Sequence, residues 1–397
     1  MSVQKHKILF LSAWYPNRND SMFGLFVKRH ARAVMLYDKV NVLYVCADQY
    51  LKDKLYETEQ KNINDNYEIL VYYRPFNSKY RILNQIINSY RYLRAFNIGW
   101  RILKKYSGKP DIIHVNILTR AAIPAFFIYI FSGIPYVITE HWSRYLPYVN
   151  TYKGILRKFF TKKIVSNAKA LLVISDNLRQ AMFSHNLKNK NTFIINNVVD
   201  TDMFKLLPAE KENGAYRLIH ISCFEDKSKN ISGLLRAIKE LTNIRQDFVL
   251  HLAGDGQDKD KLEVMAAELG LKDKFVRFDG LLVNNDLAEA LGKSHLLVLF
   301  SNYENIPVVI NEALSCGKPV ISTRVGGISE IIDNECGILV EPGDEKNLAL
   351  SISKMLDNID IYSPIDLRNK IIGKCSMDNV GKQLSSLYDS IINKKNN

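Results

Sequence analysis

The chain has 397 residues, 47% of them hydrophobic and 24% charged, with a formal net charge of +13. That mix excludes a disordered chain, and the length supplies material for two or three domains with their own cores. The five cysteines, Cys46, Cys223, Cys316, Cys336 and Cys375, are scattered and lack Cys-x-x-Cys spacing, so they indicate neither a disulfide framework nor a zinc site and fit a reducing, cytosolic compartment.

The opening MSVQKHKILFLSAWYP carries only a short apolar run, which reads as a first strand and not as a signal peptide. Strands then fit 7–13, 39–46, 68–73, 111–115, 135–139, 170–175 and 192–196, with amphipathic helices at about 24–37, 80–106, 119–132, 152–167 and 176–185. The most apolar segment, 121–138, is broken by Pro124 and by the turn from Ser132 to Pro135, so it reads as helix, turn and strand and not as a membrane span. The helix near 152–165 sets Ile155, Leu156, Phe159, Phe160 and Ile164 beside Lys153, Arg157, Lys158, Lys162 and Lys163. The default expectation is a surface helix packed on its own core; the sharper one is contact with an anionic membrane surface.

A polar hinge, PAEKENGAY, spans 208–216, and the pattern then restarts with strands at 217–222, 248–254, 274–280, 295–300, 319–323 and 337–340. The alternation predicts two doubly wound α/β domains in tandem, residues 1–205 and 206–375, with parallel sheets that bind ligands at their strand carboxyl ends and a substrate cleft between the facing domains. A last helix near 378–394, within 376–397, follows the second sheet; sequence does not fix where it docks, and packing back on the first domain is one option. Charge separates along the same line: 1–205 hold 31 basic and 13 acidic residues, and 206–397 hold 23 and 28. A field of one sign over the first half favours an anionic partner: a membrane surface, an anionic lipid-linked substrate or nucleic acid.

The segment SNYENIPVVINEALSCGKPVISTRVGG, 301–327, places Glu304 and Glu312 in a largely apolar stretch. The strand before it ends at Phe300, so Glu304 lies in a loop at a strand carboxyl end. Pro307 suits the first turn of a helix running to about Cys316. Free N–H groups at that helix start favour a diphosphate, with Glu312 placed to accept from ribose hydroxyls and Glu304 from a sugar. Eight helical steps would set the two carboxylates about 12 Å apart.

The pattern of Ser301, Glu304, Pro307, Glu312, Ala313, Gly317, Pro319, Val320, Gly326, Gly327 and Glu330 resembles the retaining glycosyltransferases of family 4, of GT-B fold and bacterial surface-polysaccharide type. LAGDGQ (252–257), INNVVDTDMF (195–204), PDIIHVN (110–116) and the loop 14–31 resemble the same family. The resemblance implies donor contacts at Lys227, Lys229, Gly254, Glu304, Asn305, Ile306, Val308 and Glu312, and an acceptor side at Gly24 and His141. The catalytic set it implies is His141, Glu304 and Lys229. The family arginine is absent; Cys223, Phe224 and Glu225 stand there, and Lys227 is the nearest cation. His114, on an apolar strand, reads as a core histidine.

The implied reaction is retaining transfer from a UDP- or GDP-linked sugar to a hydroxyl of a saccharide or lipid-linked saccharide, without metal or cofactor. Asp200 and Asp202 then belong to a linker and not to a metal site. The leaving phosphate oxygen takes the acceptor proton, so Glu304 is not assigned as nucleophile. The expected setting is cytoplasmic, peripheral at the inner face of the membrane, with no nucleic-acid partner because no aromatic-basic platform accompanies the charge. The rival readings are a nucleotide-sugar epimerase of the same fold and a non-catalytic nucleic-acid or polysaccharide binding protein.

Overall fold

The computed structural model describes residues 6–149 and 151–396, so the first five residues of the stretch weighed as a leader lie outside it. Two compact units emerge, one of Met1–Ile174, Arg179–Val198 and Met377–Asn397, the other of Ser175–Leu178 and Val199–Ser376. The division falls at Val198/Val199 and not near 205. The reason is packing: Val198 is buried in the first core, whereas Val199 and Phe204 are buried in the second, and Val199 N–H bonds Cys375 O at 2.8 Å.

The first unit runs β1 (Lys7–Ser12), α1 (Leu25–Met35), β2 (Lys39–Ala47), β3 (Tyr56–Ile63), β4 (Asn66–Tyr73), α2 (Arg81–Ser107), β5 (Ile112–Asn116), α3 (Ala122–Ser132), β6 (Tyr136–Glu140), α4 (Ile155–Asn167), β7 (Ala170–Val173), α5 (Asp176–Ser184) and β8 (Thr192–Ile194). The sheet order is β3-β4-β2-β1-β5-β6-β7-β8. All pairs are parallel except β3 with β4. The near-continuous apolar runs of β1, β5 and β6 are what strands covered on both faces require. β3 is the strand that sequence reading missed. Its residues, YETEQKNI, are largely polar and none is buried, as suits a sheet edge. It joins β4 through Asn64 and Asp65, both at positive φ (50° and 63°), the backbone of a two-residue type I′ hairpin.

The last helix, α13 (Met377–Asn396), returns to this unit and packs on α1. Tyr388 shares a 2.6 Å hydrogen bond with His114 Nδ1, and Thr139 Oγ1 lies 2.6 Å from Nε2. His114 is therefore a fully satisfied core residue, and burial pushes its imidazole down to about 3.

The second unit runs β9 (Tyr216–Ile221), α6 (Asp226–Lys229), α7 (Ile231–Leu241), β10 (Phe248–Ala253), α8 (Lys259–Glu268), β11 (Val276–Gly280), α9 (Asn284–Lys293), β12 (Leu296–Leu299), α10 (Val308–Ser315), β13 (Val320–Thr323), β14 (Gly337–Val340), α11 (Glu345–Asp357) and α12 (Pro364–Cys375). Its sheet is wholly parallel, in the order β11-β10-β9-β12-β13-β14. The entering segment is held by Arg368, whose guanidinium donates to the carbonyls of Thr201, Phe204 and Ser315. Asp200 accepts from Met203 N–H at 3.1 Å, so this aspartate shapes the linker turn.

One expectation is overturned. Helix α4 does not bury its apolar residues in its own core: Ile164 is buried, but Ile155, Leu156, Phe159 and Phe160 are 88%, 74%, 62% and 54% exposed. The helix packs on α3 and leaves its first turns bare.

Candidate functional site

In the second sheet the order of strands reverses between β9 and β12. Such a reversal is the place where doubly wound sheets bind ligands, at the carboxyl ends of the two neighbouring strands. The loop after β9 carries α6 and ends in Lys229. The loop after β12 carries Glu304. Lys229 Nζ donates to Glu304 Oε1 at 2.5 Å, and Ser301 Oγ donates to the same oxygen at 2.9 Å. The backbones are tied as well: Asn302 N–H bonds Ser228 O at 2.8 Å, and Asn302 Nδ2 donates to Lys227 O at 3.1 Å. Burial alone would lower the lysine's pKa, but the pairing with Glu304 outweighs it, and Lys229 is held above its ordinary value. The ammonium is thus charged, largely shielded and fixed in direction. It has three N–H donors, so it can keep Glu304 and still offer a proton to an anion.

Pro307 stands one step outside the helix, as the cap of α10, and not in its first turn. Its extended backbone (φ −64°, ψ 124°) ends the loop, and the eight steps from Glu304 to Glu312 are therefore only partly helical. No side chain caps α10 and no acid lies in its first turn, so its leading N–H groups keep the positive end of the helix dipole available. Val308 begins this helix and Ile306 precedes the cap, both half-buried. Glu312, in the middle of α10, is 4% exposed.

The Gly326–Gly327 pair explains how the Glu304 loop is shaped. A Cβ on Gly326, at φ +57°, would lie 2.1 Å from Glu304 O, and Gly327 N–H bonds Asn305 O at 2.9 Å. The loop rests directly on this glycine backbone, and Asn305 is itself buried. Gly254 follows β10, beside the loop of β9, and donates to Gly280 O at 2.7 Å. Lys227 is exposed on α6, and Phe224 is fully buried, so Lys227 and Lys229 are the cations this loop presents.

In the first unit, His141 follows β6 and is buried against Phe26 and His30, with ring centroids 4.6 and 5.3 Å away. Burial, with His30 and His114 adding to it, holds the imidazole well below its ordinary value, so it is neutral at pH 7. Gly24 caps α1 at φ 69°, and a Cβ there would lie 2.4 Å from Trp14 C; what it permits is close contact with the Trp14–Tyr15 backbone. The structure does not bring Gly24 and His141 into a hydrogen-bonded pair. Glu140 was not foreseen. Its fully buried carboxylate accepts from the backbone N–H groups of Leu118, His141 and Trp142 at 2.8–2.9 Å and so sets the loop that carries His141. Burial still lifts the Glu140 carboxyl above its ordinary value. The signal was in the sequence, a lone acid at the end of an apolar strand.

A cavity of about 800 Å³ is lined by first-unit residues and not by Lys229 or Glu304. Volume alone would point there. Chemistry points to the β9/β12 switch point, which has the charged, hydrogen-bonded pair and a helix start without an acid in its first turn.

Two family models match the chain: Glycosyltransferase Family 4 over residues 44–203 and Glycosyl transferases group 1 over residues 202–372. An uncharacterized glycosyltransferase of Methanocaldococcus jannaschii is 26% identical over 324 residues, 81% of this chain and 83% of the relative. The putative teichuronic acid biosynthesis glycosyltransferase TuaC of Bacillus subtilis is 24% identical over 375 residues, 90% of this chain and 91% of the relative. Among solved structures, Anabaena HepE in complex with UDP and glucose has a TM-score of 0.70 at 16% identity, covering 97% of this chain and 100% of its own; that likeness is one of fold.

Proposed function

The chain belongs to the GT-B glycosyltransferases that join a Family 4 domain to a group 1 domain, and from that premise we propose that it moves a sugar from a nucleoside-diphosphate sugar to an acceptor hydroxyl with retention at the anomeric carbon. The observation that carries the reading is the Lys229–Glu304 pair at the β9/β12 switch point, next to the uncapped start of α10. A diphosphate there meets a fixed ammonium and helix N–H groups, the donors that such a leaving group needs. Glu304 is placed to accept from the hydroxyls of the transferred sugar, and Glu312 from the ribose; Asn305, Ile306, Val308, Gly254 and Lys227 complete the donor side.

In the step itself the bond between anomeric carbon and phosphate oxygen breaks, and its electron pair stays on the diphosphate. The acceptor oxygen forms the new bond on the same face. Its proton passes to the departing phosphate oxygen, so no carboxylate base is required. Charge on the leaving group is met by Lys229 and α10, so the rate is expected to survive EDTA. His141, neutral and buried near Gly24's helix, is the proposed acceptor-side residue. The donor nucleotide is uridine or guanosine diphosphate; the UDP bound to Anabaena HepE supports the former. The acceptor is a lipid-linked saccharide of cell-surface polysaccharide, met at the inner face of the cytoplasmic membrane; the basic first half and the name of the Bacillus relative support this.

A thermal-shift panel of UDP- and GDP-sugars, followed by product analysis with the best donor, tests the proposal. A donor that stabilises the protein and yields an α-configured product from an α-linked donor is expected. Epimerised donor without transfer would favour the epimerase, and no stabilisation by any nucleotide sugar would end the reading.

A further inference from the structure

The cavity of the first unit lies at the carboxyl ends of β1, β2 and β5, where that sheet's order also reverses, and α3 and α4 wall it. Its lining is aromatic and aliphatic, with Trp14, Trp142, Phe126, Phe127 and Phe160 among the large groups. Three arginines, Arg120, Arg144 and Arg157, also line it, and among the described lining residues there is no Asp, Glu, Asn or Gln. A cavity of +3 charge without a carboxylate calls for an anion. The neutral acceptors in the described lining are hydroxyls of tyrosine and threonine, and no carboxylate or amide is there to grip a bare saccharide.

The arginines are positioned and under-used. Arg144 stacks over Trp142, its Cζ 3.8 Å from the ring centroid. Its Nε is buried with no hydrogen-bond partner among the described residues, which calls for a ligand acceptor. Arg120 reaches the Tyr73 hydroxyl only at 3.4 Å, a weak contact.

The cavity is also continuous with the bare apolar surface. Phe127 of α3 and Leu156 and Phe160 of α4 both line it and face outward. Beside them Phe131 and Ile155 are among the most exposed apolar side chains of the molecule, at 81% and 88%. From Arg144 to Lys163 the chain carries Lys153, Arg157, Lys158, Lys162 and Lys163 and no acid. An apolar patch set in basic residues and leading into an apolar cavity fits an amphiphile with an anionic head.

We propose that this cavity seats a lipid phosphate, with the hydrocarbon chain lying between α3 and α4 and the phosphate oxygens on Arg120, Arg144 and Arg157. The assignment rests on the transferase reading, because it names the acceptor class and the place where the acceptor is held. The lipid enters from the side of Phe127, Leu156 and Phe160, and the arginines stop its phosphate at the strand ends.

The test uses the full chain and its intrinsic tryptophan fluorescence, two of whose three sources, Trp14 and Trp142, line the cavity, titrated with farnesyl diphosphate, with farnesol and with inorganic diphosphate. Farnesyl diphosphate is expected to bind at least ~10-fold tighter than either fragment. The double variant Arg144→Ala/Arg157→Ala should weaken it by about 10-fold or more and leave farnesol unchanged. The double variant Leu156→Asp/Phe160→Asp, made at exposed positions and therefore expected to fold, should weaken both farnesyl compounds and lower flotation with anionic phosphatidylglycerol vesicles. Equal affinity for farnesyl diphosphate and farnesol, tightest binding of inorganic diphosphate, or unchanged binding in both variants would each overturn the proposal. The donor-induced thermal shift is read in parallel. Its loss in the parent protein would count against the transferase reading, whereas its persistence beside absent lipid binding would count against the cavity alone.

Discussion

Lys229→Ala separates the two tasks given to this side chain. Its Nζ sits 2.5 Å from Glu304 Oε1, and the two side chains are 19% and 12% exposed. Removing the ammonium takes away one fixed donor to the leaving diphosphate, a loss of about 10²–10³ in kcat, or about 3–4 kcal/mol of transition-state stabilisation. It also leaves a shielded carboxylate with Ser301 Oγ still donating but its cation gone, which lowers stability by roughly 1–3 kcal/mol. That carboxylate, no longer offset by Lys229, would then repel the donor's diphosphate. The double variant Lys229→Ala/Glu304→Gln should therefore recover stability and part of the donor affinity relative to the single variant, while kcat stays low. Urea unfolding, calorimetric titration with the nucleotide sugar and initial rates, arranged as a double-mutant cycle, should give a coupling of about 1–3 kcal/mol in stability. The sign of the pH effect follows from the raised lysine pKa. The pair's contribution is complete below 10.5, the ordinary value, and is lost as pH rises through the higher folded one. The stability gap between parent and Lys229→Met should then close in strongly alkaline buffer. A single variant that keeps kcat within about threefold of the parent would refute the leaving-group role, because losing even one such donor exceeds that.

Glu312→Ala should abolish the donor-induced thermal shift, and an unchanged shift would refute the ribose assignment. Gly326→Ala places a Cβ 2.1 Å from Glu304 O at φ +57°, so it should lower stability by about 1–3 kcal/mol and weaken donor binding together; parent-like values in urea unfolding and titration would remove the support role given to this glycine. Acid should destabilise the protein early. His30, His114, His141 and His220 are held below their ordinary value chiefly by burial, His114 at about 3 and His220 at about 4. The unfolded chain binds these protons near 6.5 and the native one only at lower pH. Between its unfolded and its lower folded value each such histidine therefore removes up to about 1.4 kcal/mol per pH unit, and equal urea midpoints at pH 7 and pH 5.5 would contradict the assignment.

Much of the sheet core was legible because strands covered on both faces must be apolar almost throughout. Runs such as KILFLS and FVLHLA admit few other readings. The acid loop was legible for a different reason: carboxylates are rarely placed among apolar residues without a partner or a ligand. β3 escaped because an edge strand needs one pairing partner and can be polar on both faces. Its turn, Asn64-Asp65, carried the only local sign.

The sequence by itself determined the two α/β halves, the positions of the acids and lysines proposed for the donor side, and the uneven charge, because periodicity, chain order and residue type are local properties. Only the tertiary structure decided that Lys229 meets Glu304, 75 residues away along the chain, that Gly326 supports the loop beneath it, and that Ile155, Leu156 and Phe159 face outward. An amphipathic helix has the same pattern whether its apolar stripe meets a core or a membrane. Which of these it meets depends on what the rest of the chain leaves beside it.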